Sequence, residues 1–94
     1  MVRKFKDHPN AQACVIENED GYKALQSYQT IVAEVDTEGW LHINGLYSAT
    51  TRKHIGWFVR ELGIKYQPYQ LAKQLYNDNA QMNIYTGEVI FNVV

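Results

Sequence analysis

The sequence predicts an α+β domain: an antiparallel β-meander of four to five strands, covered by two short helices, with a C-terminal strand or hairpin. Three observations predict this class. Apolar residues alternate along short runs in the first half, helical spacing follows residue 50, and alternation returns after residue 80. Strands followed by helices are typical of an α+β sandwich. The 94 residues suit one domain with a single core, taken as residues 1–94.

The first strands are predicted to form hairpins. The segments ACVIEN and YKALQSY flank a turn that contains Gly21, and TIVAEV and WLHI flank a turn that contains Gly39. Each glycine supplies the positive φ that a tight reversal needs. The pair Asn44-Gly45 predicts a further two-residue turn of type I′, with a strand over residues 46–48. One face of such a sheet needs a cover.

Two helices are predicted to supply that cover. The first spans about residues 51–62, with Thr50 or Thr51 as N-cap and Gly63 just beyond its end. Its apolar stripe has the spacing i, i+3, i+4 and i+7, formed by Ile55, Phe58, Val59 and Leu62. The second starts at Pro68 and runs to about Asn77. Beyond it, MNIY and EVIFNVV predict a terminal hairpin or a single returning strand.

Composition limits the class of protein. The chain has 46% hydrophobic and 20% charged residues, which indicates a globular domain, and its formal net charge is -1. Cys14 is the only cysteine, so an internal disulfide is excluded and a cytoplasmic setting is expected. No segment approaches the ~20 apolar residues that span a bilayer, so a soluble protein without a membrane partner is expected. Acidic side chains concentrate before residue 45 and basic ones after residue 50.

Trp57 is the first candidate binding residue. On a helix it falls about 160° from Ile55, on the polar side beside Lys53 and Arg60. One interpretation is that the second helix or the C-terminal strand covers it. The other is that Trp57 anchors a partner, since Trp and Arg are enriched in binding hot spots. The second interpretation predicts a partner-binding set of Lys53, Trp57, Arg60 and Tyr69.

The start of the first helix is a candidate anion site. Thr50, Thr51, Arg52 and His54 combine hydroxyl groups, basic side chains and the positive end of a helix dipole. Simple helix capping explains the same threonines. His54 is expected at the border of the sheet, bonded to a backbone carbonyl or to Tyr47.

No residues are predicted to perform catalysis or hold a metal. The candidate metal ligands have no zinc-ligand spacing; they are His8, Cys14, His42 and His54. No catalytic set, metal or cofactor is therefore assigned, and a non-enzymatic protein is expected.

The run SYQTIVAEVDTEGWLHINGLYSATTRKHIGWF resembles a family of small domains from bacteriophages, mobile elements and their bacterial hosts. The shared pattern is Ser-Tyr-x-Thr-x-Val-Ala, a hairpin, and Tyr-Ser-x-Thr-Thr-x-x-His-Ile-x-x-Phe. The matching residues are Ser27, Tyr28, Thr30, Val32, Ala33, Tyr47, Ser48, Thr50, Thr51, His54, Ile55 and Phe58. The resemblance implies a phage or mobile-element setting. Most of the pattern describes folding: strand alternation, a cap and a core stripe.

Size, charge segregation and this resemblance predict a phage-type binding protein. The leading hypothesis is an inhibitor of a host defence system that binds a Cas nuclease or complex, in the host cytoplasm. One alternative is a nucleic-acid-binding accessory protein that contacts phosphates and bases through the helix at 50–60. Another is a homodimerising domain, so that both a monomer and a homodimer stay open.

Overall fold

The computed structural model describes residues 1–92 as an antiparallel sheet of seven strands with two helices packed on one face. The strands lie in the sheet in the order in which they occur in the chain. The strands are β1 (Val2–Arg3), β2 (Ala13–Glu17), β3 (Lys23–Ser27), β4 (Thr30–Val35), β5 (Trp40–Ile43), β6 (Ala80–Asn83) and β7 (Val89–Phe91). The helices are α1 (Ala49–Glu61) and α2 (Pro68–Asn77).

The predicted class is confirmed, but the sheet has more strands than the four to five expected. The prediction missed β1, a two-residue strand that pairs with β2. The strands β4 and β5 coincide with TIVAEV and WLHI, and α2 has the predicted bounds. The C-terminal segment forms a hairpin, β6 with β7. Residues 93 and 94, the last of the predicted EVIFNVV segment, lie outside the described residues.

The strand predicted after Asn44-Gly45 is wrong, because residues 44–48 form a loop that leads into α1. Two features divert the chain. Tyr47 has a φ of 45°, which lies outside the strand region, and Ser48 already serves as the N-cap of α1. Asn44 stays with the sheet, since its backbone N–H donates to Val32 O at 2.8 Å.

Ser48 also corrects the predicted N-cap. Its Oγ accepts from the backbone N–H of Thr51 at 3.2 Å, so Thr50 and Thr51 lie inside the helix. Ser48 provides the short side-chain oxygen that a first turn needs, two or three residues earlier than expected. The far end of α1 agrees with the prediction, since Gly63 follows Leu62 with a φ of 101°.

The core lies between the sheet and the helices. Alternate strand residues point to the helices and are fully buried, among them Leu25, Ala33 and Leu41. The stripe predicted on α1 contributes to the same cluster, as do two residues of α2. These helix residues are Ile55, Phe58, Val59, Ala72 and Leu75. The helical spacing in the sequence therefore marks the buried face.

Arg3 connects the edge of the sheet with the end of α1. Its Nε lies 2.7 Å from Glu17 Oε1, and its Nη2 lies 2.7 Å from Glu61 Oε2. The hydrogen bond with Glu61, together with that to Glu17, raises the pKa of Arg3 above its ordinary value. The three side chains are 27–35% exposed, so water screens these pairs. They pair Glu61, the residue that follows Arg60, with Arg3.

Candidate functional site

A buried hydrogen-bond network joins β3 to the first turns of α1. Ser27 Oγ lies 2.9 Å from Thr51 Oγ1 and 2.8 Å from His54 Nδ1. Ser48 Oγ extends the network, donating to Thr51 Oγ1 at 3.3 Å. Ser27, Thr51 and His54 are at most 4% exposed. All four residues belong to the sequence pattern described above, so folding accounts for these four of its polar members.

The network changes the predicted anion site. Thr51 and His54 are buried, whereas Thr50 and Arg52 are exposed. The structure therefore does not bring the four side chains together at the surface, and Thr51 and His54 cannot reach a ligand in this conformation. The expected partner of His54 is also wrong, because its Nδ1 bonds Ser27 Oγ and not a backbone carbonyl or Tyr47.

Burial has a chemical consequence for His54. It disfavours the charged imidazolium and lowers the pKa of His54 below its ordinary value of 6.5, and the nearby His8 lowers it further. A serine and a histidine at this distance also occur as nucleophile and base. Here Ser27 is only 2% exposed, so no substrate can approach its Oγ in this structure. The geometry supports a structural network that fixes α1 on the sheet.

The predicted partner-binding residues lie around one surface groove between α1 and α2. Lys53, Trp57, Arg60 and Tyr69 all line it. We call it the α1–α2 groove; it is open to solvent and has a volume of about 330 Å³. The remaining lining residues are Ala49, Arg52, Gly56, Pro68 and Gln70.

The α1–α2 groove is electropositive. Its lining includes Arg52, Lys53 and Arg60 but no Asp or Glu. Within residues 1–92 the ion pairs are those of Arg3, so these three cations have no carboxylate partner there. Helix α2 begins at the groove, and its N-cap makes no side-chain hydrogen bond, so the positive end of its dipole adds to the field.

Trp57 separates this groove from a second, smaller one. Residues 4–11 form a short strap, closed by a hydrogen bond from Lys4 Nζ to Ala11 O at 2.9 Å. His8 of the strap stacks on the indole with ring centroids 3.6 Å apart and planes 3° apart, and Phe5 packs edge-on at 5.6 Å. The smaller groove, of about 160 Å³, lies between strap and helix and shares Trp57 and Arg60 with the first.

Trp57 is therefore half-buried. The interpretation that α2 or the C-terminal strand covers it was incomplete, and the interpretation that it anchors a partner stays a prediction. The N-terminal strap packs on the indole through His8 and Phe5, a contact that neither interpretation included. The remaining indole surface lines the α1–α2 groove. Nothing in the local pattern KFKDHPN indicates this packing, because the contact joins segments about fifty residues apart. Gly56 and Pro68 were also missed, since small apolar residues give no binding signal of their own.

Other kinds of site are absent from the described part of the chain. Within residues 1–92, no three His, Cys, Asp or Glu side chains come together in a way that could hold a metal ion. Over the same residues, neither helix is long and apolar enough to cross a membrane.

The fold and its groove define a small α+β domain with a basic, aromatic surface site. Residues 5–74 match the model of a family of unknown function, DUF8033. The chain belongs to this family, and the matched segment contains the strap, the buried network and the α1–α2 groove. No curated protein and no solved structure matched the chain.

Proposed function

We propose that this chain is a non-enzymatic binding protein that docks a host protein at the α1–α2 groove. The observation that carries the proposal is the convergence of Lys53, Trp57, Arg60 and Tyr69 on one groove lined by no acidic residue. Binding hot spots are enriched in partly buried aromatic residues and in arginine, as this groove is. The buried network and the core hold both helices on the sheet, which limits the backbone entropy lost on binding.

The resemblance to phage and mobile-element domains supports a more specific role. In this role the protein inhibits a host defence system, by binding a Cas nuclease or another defence nuclease in the host cytoplasm. Inhibition by binding requires no catalytic residues, which is consistent with the burial of the Ser27 and His54 pair.

The test uses a panel of purified Cas complexes and other defence nucleases. Co-elution in size-exclusion chromatography and inhibition of DNA cleavage are expected for at least one of them. The double variant Arg52→Glu, Lys53→Glu changes two exposed groove residues and should abolish both. Lys73→Glu is the matched control, since Lys73 is an exposed cation of α2 that does not line the groove. A panel without complex or inhibition contradicts the proposed role.

Nucleic-acid binding is the second candidate function. Two aromatic rings, Trp57 and Tyr69, lie beside three cations in one groove, and such surfaces bind single strands. Affinity for an oligonucleotide should then fall steeply with salt. Absence of binding even at low ionic strength excludes this function.

Homodimerisation is the third candidate. All three residues of the edge strand β7 are exposed and apolar: Val89, Ile90 and Phe91. An exposed strand edge of this kind can pair with a second copy of the chain. Light scattering over a concentration series tests it.

A further inference from the structure

The α1–α2 groove has a charge pattern that selects its occupant. Arg52, Lys53 and Arg60 line it without an acidic residue, and Glu61, the nearest carboxylate in sequence to Arg60, is engaged by Arg3. A bound group that brings carboxylates would satisfy these cations, and guanidinium groups bind carboxylates through paired hydrogen bonds.

The uncharged part of the lining, which we call the floor of the groove, is mostly apolar. Ala49, Gly56 and Pro68 have no polar side-chain atoms, and the rings of Trp57 and Tyr69 stand beside them. A Cβ atom placed on Gly56 would lie 3.6 Å from Tyr69 Cβ, which shows how closely the second helix approaches α1 there. The volume of about 330 Å³ is at the small end of ligand clefts, ~300–1,000 Å³. It suits a few side chains of a peptide segment.

Two observations favour a peptide over a nucleic acid. His8 already stacks on Trp57, so one face of the indole is closed to a base. The chain also has a formal net charge of -1, and its acidic residues concentrate in the strand half. A phosphate chain that continued past Trp57 into the smaller groove would meet the carboxylates Asp7 and Glu61, which line that groove. A short acidic segment places its charges inside the groove.

We propose that the α1–α2 groove binds an acidic peptide segment of its partner, with an apolar side chain on the floor and carboxylates on Arg52, Lys53 and Arg60. This inference rests on the proposed function and specifies the partner's contacting element. In this arrangement the groove cations provide most of the affinity, and the apolar floor positions the apolar side chain of the peptide.

The probe is a fluorescein-labelled peptide that alternates Glu and Phe, followed by fluorescence anisotropy. A peptide that alternates Gln and Phe and a labelled oligo(dT) are the comparison probes. We expect the Glu/Phe peptide to bind at least about tenfold more tightly than the Gln/Phe peptide, since each lost charge-assisted bond costs about that factor. Arg52→Glu, Lys53→Glu should remove this preference and Lys73→Glu should retain it, with both variants matching the circular dichroism of the wild type.

Equal affinity for the Glu/Phe and Gln/Phe peptides overturns the inference. Tighter binding of oligo(dT) also overturns it and favours the nucleic-acid function. The result is separable from that of the proposed function. In one outcome, a nuclease co-elutes with the wild type but not with the groove variant, while the protein shows no preference for the Glu/Phe peptide. That result supports the proposed function and contradicts the inference that the groove binds an acidic segment. Preferential binding of the Glu/Phe peptide, without any nuclease that co-elutes, supports an acidic-peptide site in the groove and contradicts the proposed role against a defence nuclease.

Discussion

Ser27 is the residue on which the polar interior depends. It is 2% exposed and lies within hydrogen-bond distance of both Thr51 and His54, so it links β3 with two successive turns of α1. Within residues 1–92 no buried side-chain nitrogen or oxygen lacks a partner. Removal of one member therefore leaves another without its hydrogen bond, which is costly in a buried site.

Ser27→Ala should lower the free energy of unfolding by about 1–3 kcal/mol, because His54 Nδ1 loses its bond and Thr51 loses one of two. Urea denaturation measures this loss of stability as a lower midpoint concentration with an unchanged m-value. Thr50→Ala is the control. Thr50 is exposed on the same turn, and its substitution should stay within about 0.5 kcal/mol. Equal effects of the two substitutions would show that the network contributes nothing.

His54 should make stability depend on pH. Its pKa in the folded protein lies below 6.5, so the unfolded chain binds the proton more readily. The stabilisation by neutral His54 is thus complete above about pH 6.5 and is lost as the pH falls from there towards the folded pKa. The groups that face the ring are Ser27, His8, Trp57 and Tyr28.

Urea unfolding at about pH 7.5 and about pH 5.5 should show this loss in the wild type. The His54→Asn variant, although less stable, should lose less over the same interval. His42→Asn, on the opposite face of the sheet, should keep the pH dependence of the wild type. An unchanged pH dependence in His54→Asn would contradict the role given to His54.

Among the elements, the N-terminal strap matters most for the candidate site. It covers one side of Trp57 through His8 and Phe5, and Phe5 is itself 3% exposed. The strap therefore sets how much of the indole remains for the α1–α2 groove. Its own backbone is held by two short turns, with His8 N–H donating to Phe5 O at 3.1 Å and Ala11 N–H donating to His8 O at 3.2 Å.

His8→Ala should expose one face of Trp57. We expect its fluorescence emission to shift to longer wavelength in a Trp40→Phe background, where Trp57 is the single reporter. Stability should fall by about 0.5–1.5 kcal/mol, the usual contribution of a stacked ring pair. Lys6→Ala, an exposed strap residue, should change neither quantity. An unaltered emission in His8→Ala would mean that the strap does not cover the indole in solution.

Elements encoded by local signals were predictable, and elements that depend on distant contacts were not. Pro68 at the first turn of α2 and the apolar stripe around Ile55 are local signals, and both helices form where they indicate. In contrast, β1 has only two residues and exists because it pairs with β2. The turn signal Asn44-Gly45 failed because the following residues begin a helix, and helix capping by Ser48 took precedence.

The same distinction applies to the candidate site. Helical geometry placed Lys53, Trp57 and Arg60 on one side of α1, and Tyr69 of α2, a member of the same predicted set, lines the same groove. The burial of Thr51 and His54 could not be predicted from α1 alone, because it depends on Ser27 of a separate strand. The cover of Trp57 by His8 likewise depends on a contact that no local pattern encodes.

At the scale of the whole molecule, the two edges of the sheet differ. The edge strand β1 is anchored by Arg3 to Glu17 and Glu61, whereas β7 presents three exposed apolar residues. Such an edge carries no charge or proline of the kind that blocks pairing with another chain. Association through β7 is the expected behaviour at high concentration.

Ile90→Lys should suppress that association, since a charge on the edge opposes strand pairing. Light scattering should show a mass that rises with concentration for the wild type and stays constant for the variant. Tyr76→Lys, an exposed aromatic substitution on α2, is the control and should associate as the wild type does. A monomeric wild type at all concentrations would exclude a role of β7 in self-association.

The order of the strands has a consequence for the speed of folding. Each strand pairs with its neighbours in the chain, so most of the sheet is assembled by closing short loops. The hydrogen bond between Ser27 and His54 of α1 and the ion pair of Arg3 with Glu61 join parts of the chain that are far apart in sequence. We therefore expect refolding to begin with the separate hairpins and to finish when α1 packs on the sheet. The whole process should take milliseconds rather than minutes.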